Sequence, residues 1–284
     1  MTRRALFLSP HLDDAAFSAG GLVIALARAG WEVTLATVFT RSVEHPTGFA
    51  LECQTSKGIA PEVDYMALRR AEDRAACDAL GARPLYMDYP EAPHRGYDSP
   101  DALFGERVDG DDAAETLAPA FARLVDRLGP DLVALPEGLG DHVDHRAVVE
   151  GWTGAERGTA VVRWRDLPYA ARLDRLAPAE ACFLIDLPGK LGACAAYDSQ
   201  LYTQFGGEGG MRRLLTAFAF GEGAGRTAAE GVSGEGAGLL AGVLTALEGR
   251  GEGAGRDDEA VEPSCGVAAQ DGLAGHKPLT GAPS

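Results

Sequence analysis

Two short stretches of the sequence concentrate side chains that can bind a metal ion or move a proton. SPHLDD (residues 9–14) follows the apolar run RALFLS, and DHVDH (residues 141–145) comes a few residues after the apolar run DLVALP. Two histidines and one carboxylate, with water in an open position, form a known catalytic zinc site, and the same facial set also suits Fe(II). Such an ion lowers the pKa of water towards about 7 and polarises a carbonyl oxygen, while a neighbouring free carboxylate can serve as base.

Structural roles for the same residues stay open at this point. Asp13 or Asp14 can cap a helix and favour its dipole, and DHVDH can be a solvated turn that opens a short helix. Capping leaves His11 without an explanation. The two histidines three residues apart, opposite a His-x-Asp-Asp stretch, therefore favour a metal site.

The alternation of strand-like and helix-like segments indicates how the two stretches meet. RALFLS, WEVTLATVF, RPLYMDY and DLVALP are typical of strands and are separated by segments with helical spacing of apolar residues. This pattern predicts an α/β fold with a doubly wound, mainly parallel, Rossmann-like sheet and helices on both faces. In the common strand order 3-2-1-4-5 the first and fourth strands are neighbours, so the loops that follow them should share one crevice.

The chain is predicted to form one main domain over residues 1–220. Residues 221–248 form a possible C-terminal helix extension, and the Gly-rich residues 249–284 are expected to be disordered. The segment GKLGACAAYDSQLYTQF is predicted to be one helix. Residues 40–64 and 89–112 have no clear period and are predicted to be long loops, of the kind that often carry function.

Composition excludes several classes of partner. The 284 residues carry a formal net charge of -16 and no lysine- or arginine-rich block, which argues against nucleic acid and anionic membranes. No apolar run is long enough to span a membrane, and the N-terminus has no signal-peptide pattern. The five cysteines include no C-x-x-C pair, which favours reduced thiols and a cytoplasmic location. The oligomeric state is not predicted.

Two other chemistries fail on the residues themselves. The turn after the first strand reads Pro-His-Leu-Asp-Asp instead of the glycines that a dinucleotide fingerprint needs, and two carboxylates would repel a pyrophosphate. Serine catalysis lacks a Gly-x-Ser-x-Gly elbow, and neither Ser18 nor Ser199 has an obvious base nearby.

The paired motifs resemble those of the PIG-L or LmbE-like deacetylases, a family that removes acetyl groups from N-acetylglucosamine-type sugars with a divalent metal. The family hallmark [AP]-H-x-D-D matches residues 10–14, and its later H-x-x-H matches residues 142–145. Residues 69–72 are similar to the family's Arg-x-x-Glu. Lys190 and residues 197–200 are similar to a later segment and are assigned to the structure or the pocket wall, which extends the resemblance to about residue 220.

The resemblance implies a role for each matched residue. It implies three metal ligands, namely His11, Asp14 and His145. It also implies Asp13 as general base and His142 as the group that stabilises the oxyanion, if protonated, or that protonates the leaving amine. Arg69 is implied as a contact to substrate or acetate. The cofactor is then Zn²⁺, with Fe²⁺ as the alternative.

The sequence thus predicts a zinc-dependent N-deacetylase acting on an amino sugar or glycoconjugate, a small-molecule substrate, through attack of a metal-activated water on the acetyl carbonyl. One alternative is an amidase that cleaves a larger acyl group or a thiol-sugar conjugate. An alternative of another class is a non-catalytic binder of glycans or metabolites that retains the metal.

Overall fold

The structure is a computed structural model that describes residues 2–153, 155, 158–241 and 244. Strands and helices alternate along most of this part of the chain. The strands are β1 (Arg4–Ser9), β2 (Glu32–Phe39), β3 (Arg83–Tyr89), β4 (Leu132–Pro136), β5 (Ala160–Trp164), β6 (Ala181–Leu184) and β7 (Ala229–Ser233). The helices are α1 (Asp14–Arg28), α2 (Gly48–Thr55), α3 (Tyr65–Leu80), α4 (Ala113–Leu128), α5 (Val143–Thr153), α6 (Leu187–Cys194), α7 (Asp198–Phe205) and α8 (Glu208–Glu222).

The described strands form one sheet in the order β3-β2-β1-β4-β5-β7-β6. All pairs from β3 to β5 are parallel, whereas β7 runs antiparallel to both β5 and β6. The predicted fold class and the order 3-2-1-4-5 are confirmed. In particular, β1 and β4 are paired through Ala5 with Leu132 and Phe7 with Ala134, so the loops after them leave the same edge side by side.

Helices cover both faces of the sheet, which leaves two apolar cores. One core packs side chains of α1, α3, α6, α7 and α8 against residues such as Phe7, Leu35 and Trp164. The opposite core packs α4 and α5 against residues such as Leu8 and Val133. Successive side chains of a strand alternate between faces, so β1 contributes to both cores and is held firmly where the first motif begins.

Several helix ends follow from local chemistry. The Asp64 side chain accepts a hydrogen bond from the Ala67 amide and begins α3, as an N-cap aspartate does. Gly81 ends the same helix in the left-handed conformation, with a φ of 75° that favours glycine.

The structure differs from the sequence prediction in three segments. The predicted loop 40–64 contains α2, whose apolar pattern is too short and weak to indicate a helix. The helix predicted over residues 189–205 is broken at residues 195–197 into α6 and α7. The segment 221–248 supplies β7, a strand of the main sheet that was not predicted, and the described residues after it are helical from Ala237, where the helix extension was predicted. The predicted tail 249–284 lies outside the described residues.

Two further observations bear on the expected class of protein. No helix in the described part of the chain is long and apolar enough to cross a membrane. Cys53, Cys77 and Cys194 are free thiols.

Candidate metal centre

The candidate site lies at the carboxyl ends of three neighbouring strands. SPHLDD begins at the end of β1, DHVDH follows β4 and continues into the first turn of α5, and Asp166 follows two residues after β5. Because parallel strands end at the same edge, these segments meet in one crevice at the point where the strand order reverses. The sequence-distant histidines are therefore brought together as predicted.

A tight turn between β1 and α1 presents the first motif. Ser9 Oγ donates to the His11 carbonyl oxygen at 2.6 Å and accepts from the Ala15 amide at 3.1 Å. Asp14 Oδ2 accepts from the His11 amide at 2.8 Å. Asp13 occupies the N-cap position, but its side chain makes no capping hydrogen bond. The Asp13 side chain therefore does not cap α1.

His11, Asp14 and His145 converge on one point. Asp14 Oδ2 lies 3.1 Å from His11 Nδ1 and 3.2 Å from His145 Nε2. One ligand atom from each of the three residues lies within 4.8 Å of the others. The His145 Nε2 atom is buried and has no hydrogen-bond partner among the described residues. A divalent cation fits this set, because the orphaned imidazole nitrogen and the shared carboxylate oxygen face one another.

Each of these two histidines is backed by a carboxylate on its other ring nitrogen. His145 Nδ1 lies 2.6 Å from Asp166 Oδ1, and His11 Nε2 lies 2.9 Å from Asp144 Oδ2. Such partners fix the tautomer and the ring orientation of a metal-ligating histidine. Sequence reasoning gave neither aspartate this role. The only signals were that Asp144 lies inside DHVDH and that Asp166 directly follows a strand.

The charges of the site favour a cation at its centre. Burial alone would lower the pKa of His145, but Asp14 and Asp166 outweigh burial and raise it to about 9. Burial would likewise lower the pKa of His11, yet Asp14 and Asp144 raise it well above its usual value. The pKa of Asp14 is held well below its usual range, because His145 and His11 outweigh the effect of burial. The carboxylates thus attract positive charge, as a proton or as a metal ion.

A second group of possible ligands shares His11 and adds His142 and Asp144. Its carboxylate is already engaged: Asp144 Oδ1 accepts from Arg95 Nη1 at 2.7 Å, and Asp144 Oδ2 accepts from the Ala92 amide at 3.2 Å. The set formed by His11, Asp14 and His145 therefore fits a metal ion better.

Asp13 lies beside the ligand set and is held by two other residues. Its Oδ1 lies 3.3 Å from Arg69 Nη2, and its Oδ2 accepts from Gln204 Nε2 at 2.7 Å. Burial raises the pKa of Asp13 against the opposing effect of the Arg69 guanidinium. Arg69 is itself buried and also pairs with Glu91, so its charge is shared between two carboxylates.

His142 is held as a neutral imidazole. Its Nδ1 accepts a hydrogen bond from the Asp144 amide at 3.2 Å, which leaves Nε2 to carry the proton. Burial lowers the pKa of His142 to about 3. The ring lies 5.2 Å from that of His11 and 5.5 Å from that of His145, between centroids. The His142 ring therefore lies beside the ligand set as a neutral hydrogen-bond donor. The sequence suggested the protonated imidazole for stabilising the oxyanion, so the protonation state differs from that expectation.

Residues 6–155, more than half of the chain, match the family described as PIG-L, GlcNAc-PI de-N-acetylase. The chain belongs to this family. Both motifs lie within the matched region, and the resemblance read from the sequence is confirmed. Gln204 and Asp166 lie beyond it.

Three proteins to which the chain is similar are deacetylases. The 2'-N-acetylparomamine deacetylase of Streptomyces fradiae is 35% identical over 176 residues, which are 60% of this chain and 59% of the relative. The chain thus spans about three fifths of that relative's length. A teicoplanin deacetylase solved in a zinc-inhibited form has a TM-score of 0.70 and 26% identity, over 81% of this chain and 96% of that one. The A40926 pseudoaglycone deacetylase has a TM-score of 0.70 and 27% identity, over 82% and 97%.

Proposed function

We propose that this chain is a metal-dependent hydrolase that removes the N-acetyl group from an amino sugar or an amino-sugar glycoconjugate. The observation that carries the proposal is that the adjacent carboxylates of Asp13 and Asp14 contact different partners. Asp14 faces two histidine nitrogens, whereas Asp13 is turned towards Arg69 and Gln204. One carboxylate is therefore arranged as a ligand and its neighbour as a base. The deacetylase activity of the named relatives supports the same reaction.

The ligands in this proposal are His11, Asp14 and His145, and the ion is zinc, with Fe(II) as the alternative. The nitrogen and oxygen donors of this set suit both ions. When bound, the ion supplies an acidified water and a Lewis acid for the acetyl carbonyl. Asp144 and Asp166 keep the two imidazoles in the orientation that this binding requires.

Asp13 is the proposed proton carrier. It accepts a proton from the attacking water as the water oxygen bonds to the acetyl carbon, and it returns that proton to the amine nitrogen when the C–N bond breaks. Acetate and the free amine are the products. Arg69 and Gln204 each bind one oxygen of the carboxylate, which fixes its orientation. Since the Arg69 guanidinium is committed to Asp13 and Glu91, we propose that Arg69 acts on the substrate mainly through Asp13.

His142 is the proposed hydrogen-bond donor to the carbonyl oxygen. The backbone amide of Asp144 occupies Nδ1, so the neutral ring can donate only through Nε2. A donor fixed before the reaction begins stabilises the negative charge that develops on the oxygen without further reorganisation. This role requires no protonated imidazole, which agrees with the lowered pKa of His142.

Replacing Asp13 with asparagine tests the proposal. In Asp13→Asn the rate of acetate release from an N-acetylglucosaminide should fall roughly 100- to 10,000-fold, as is usual for loss of a general base. The zinc content should stay near that of wild type, because Asp13 is not a ligand. Asp14→Ala should lose both metal and activity, and Asp186→Asn, which alters a helix-capping aspartate between β6 and α6, should lose neither.

The same assay separates the alternatives. Full activity in Asp13→Asn would contradict the assigned base. Preferential hydrolysis of larger acyl amides would indicate the amidase. A wild-type chain that holds one metal ion and hydrolyses no amide would indicate a non-catalytic binder.

A further inference from the structure

An exposed aromatic ring borders the candidate site on the side of His142. Phe104 ends a short 3-10 helix (Ala102–Phe104) and is 45% exposed, although it is a large apolar side chain. Its ring meets that of His142 edge to face, with 5.2 Å between centroids, and meets that of Tyr169 at 5.8 Å. Phe104, His142 and Tyr169 together form what we call the aromatic wall.

Tyr169 links this wall to the ligand set. Its ring lies 5.3 Å from that of His145 and 6.2 Å from that of His142. It is packed closely against Gly140, where an added Cβ would come within 2.6 Å of Tyr169 Cβ, and Gly140 has a φ of 85° that favours glycine. The tyrosine is thus fixed by the turn that leads into DHVDH.

Hydrogen bonds and ion pairs tie the loop that carries Phe104 to the rest of the site. Arg146, next to His145 on α5, donates to the Gly105 carbonyl oxygen at 2.9 Å. Arg95 binds both oxygens of Asp111 at 3.0 and 3.1 Å, which closes the loop on itself, and it also reaches Asp144. A ring that is held in place before binding loses little conformational entropy when a ligand packs on it.

We propose that the aromatic wall is the subsite that packs against the ring of a cyclic amino sugar, with Phe104 as the residue that selects a ring over an open-chain acetamide. This inference rests on the proposed function and adds the residues that recognise the sugar ring. A sugar ring has an apolar face of C–H groups, and such a face packs on an aromatic ring in the way that other apolar groups do. Phe104 adjoins His142, so a ring on Phe104 would bring its acetamido group to the proposed donor.

The test compares a cyclic and an open-chain acetamide. KM and kcat are measured for methyl N-acetylglucosaminide and for N-acetylethanolamine with the zinc-loaded wild type, Phe104→Ala, Phe104→Tyr and Phe220→Ala. Phe220 is an exposed phenylalanine of α8 with 38% exposure, and it is the matched control.

In Phe104→Ala the KM for the glycoside should rise about tenfold with kcat near wild type, whereas KM for the open-chain amide should change less than about twofold. Phe104→Tyr keeps the ring and should behave like wild type, as should Phe220→Ala. An unchanged glycoside KM in Phe104→Ala, or an equal rise for both amides, would overturn the proposal.

A binding measurement tests the aromatic wall independently of whether the protein deacetylates the glycoside. The Kd of the intact glycoside is measured by NMR titration on the same proteins, and thermal melting checks that Phe104→Ala is folded. If wild type hydrolyses neither amide, the proposed deacetylation fails, and the Kd values alone decide. A Kd that rises about tenfold in Phe104→Ala supports the wall, whereas an unchanged Kd or no binding by wild type refutes it.

Discussion

Asp166→Asn perturbs the candidate metal centre without touching a proposed ligand. Asp166 is buried, and its Oδ1 lies 2.6 Å from His145 Nδ1. Its Oδ2 accepts hydrogen bonds from the amides of Gly138 and Leu139, each at 3.0 Å. The carboxylate therefore both orients a proposed ligand and anchors the turn before DHVDH.

The expected cost has two separate parts. Asparagine can keep an oxygen towards His145 but loses the charge that makes the imidazole a stronger ligand, and such outer-shell changes typically weaken metal affinity about 10- to 100-fold. That loss corresponds to roughly 1.4 to 2.7 kcal/mol of binding free energy. The new NH₂ group would face two backbone donors, and leaving one of them unpaired lowers the free energy of unfolding by about 1–3 kcal/mol.

Two measurements on the same protein separate these parts. The zinc Kd is obtained by competition with a chromophoric chelator, and the free energy of unfolding of the metal-free protein is obtained from urea titration. Asp186→Asn serves as the control, because Asp186 also accepts from a backbone amide but lies away from the site. A wild-type Kd in Asp166→Asn, together with lowered stability, would refute the backing role and leave Asp166 as a loop anchor only.

Two further predictions concern buried charges away from the metal centre. Burial raises the pKa of Asp73 from 3.8 to about 6. Between these two pKa values the folded state keeps a proton that the unfolded state loses. The free energy of unfolding should therefore fall by about 3 kcal/mol between about pH 4 and pH 7 because of Asp73. In Asp73→Asn, the free energy of unfolding from urea titrations should depend less on pH than in wild type. If its pH dependence is the same as in wild type, another group causes the effect. Lys190 Nζ lies 2.6 Å from Glu230 Oε1 and both are buried, so Lys190→Met should destabilise the fold by about 3–5 kcal/mol. Lys190→Met combined with Glu230→Gln should recover only part of that loss, because the glutamine removes the buried charge but leaves one of the Gly21 and Leu22 amides without its acceptor. A double variant as unstable as the single one would contradict the pairing.

The sequence carried enough information to predict the centre of the sheet. The strands β1 to β4 are short apolar runs followed or preceded by helices of clear period, and the parallel alternation admits few topologies. That topology placed the loops after β1 and β4 together, and His11 and His145 do meet. The β7 strand escaped prediction because its sequence, AEGVS, has one large apolar residue and follows a glycine-rich segment. β7 pairs with β5 and β6 because of the surrounding tertiary structure, and a local sequence pattern does not predict such pairing.

The proposed metal ligands were predictable from the sequence, whereas the residues that hydrogen-bond to the site residues were not. His11, Asp14 and His145 are types that bind metals and lie in short motifs, so their chemistry is visible in the sequence. Asp166 and Gln204 are isolated residues that become important only through a contact across the fold, at 2.6 Å to His145 and 2.7 Å to Asp13. The position of Arg69 shows the same limit, because the sequence suggested a substrate contact and the structure adds its ion pairs with Asp13 and Glu91.

We propose above that His11, Asp14 and His145 hold one divalent ion. The most direct measurement is the metal content of the purified full chain by plasma mass spectrometry, for wild type and for His145→Ala, after reconstitution with zinc and removal of excess. We expect about one zinc per wild-type chain and far less in the variant, because the facial set loses one of its three ligands. No retained metal in wild type, or equal metal in both proteins, would contradict it.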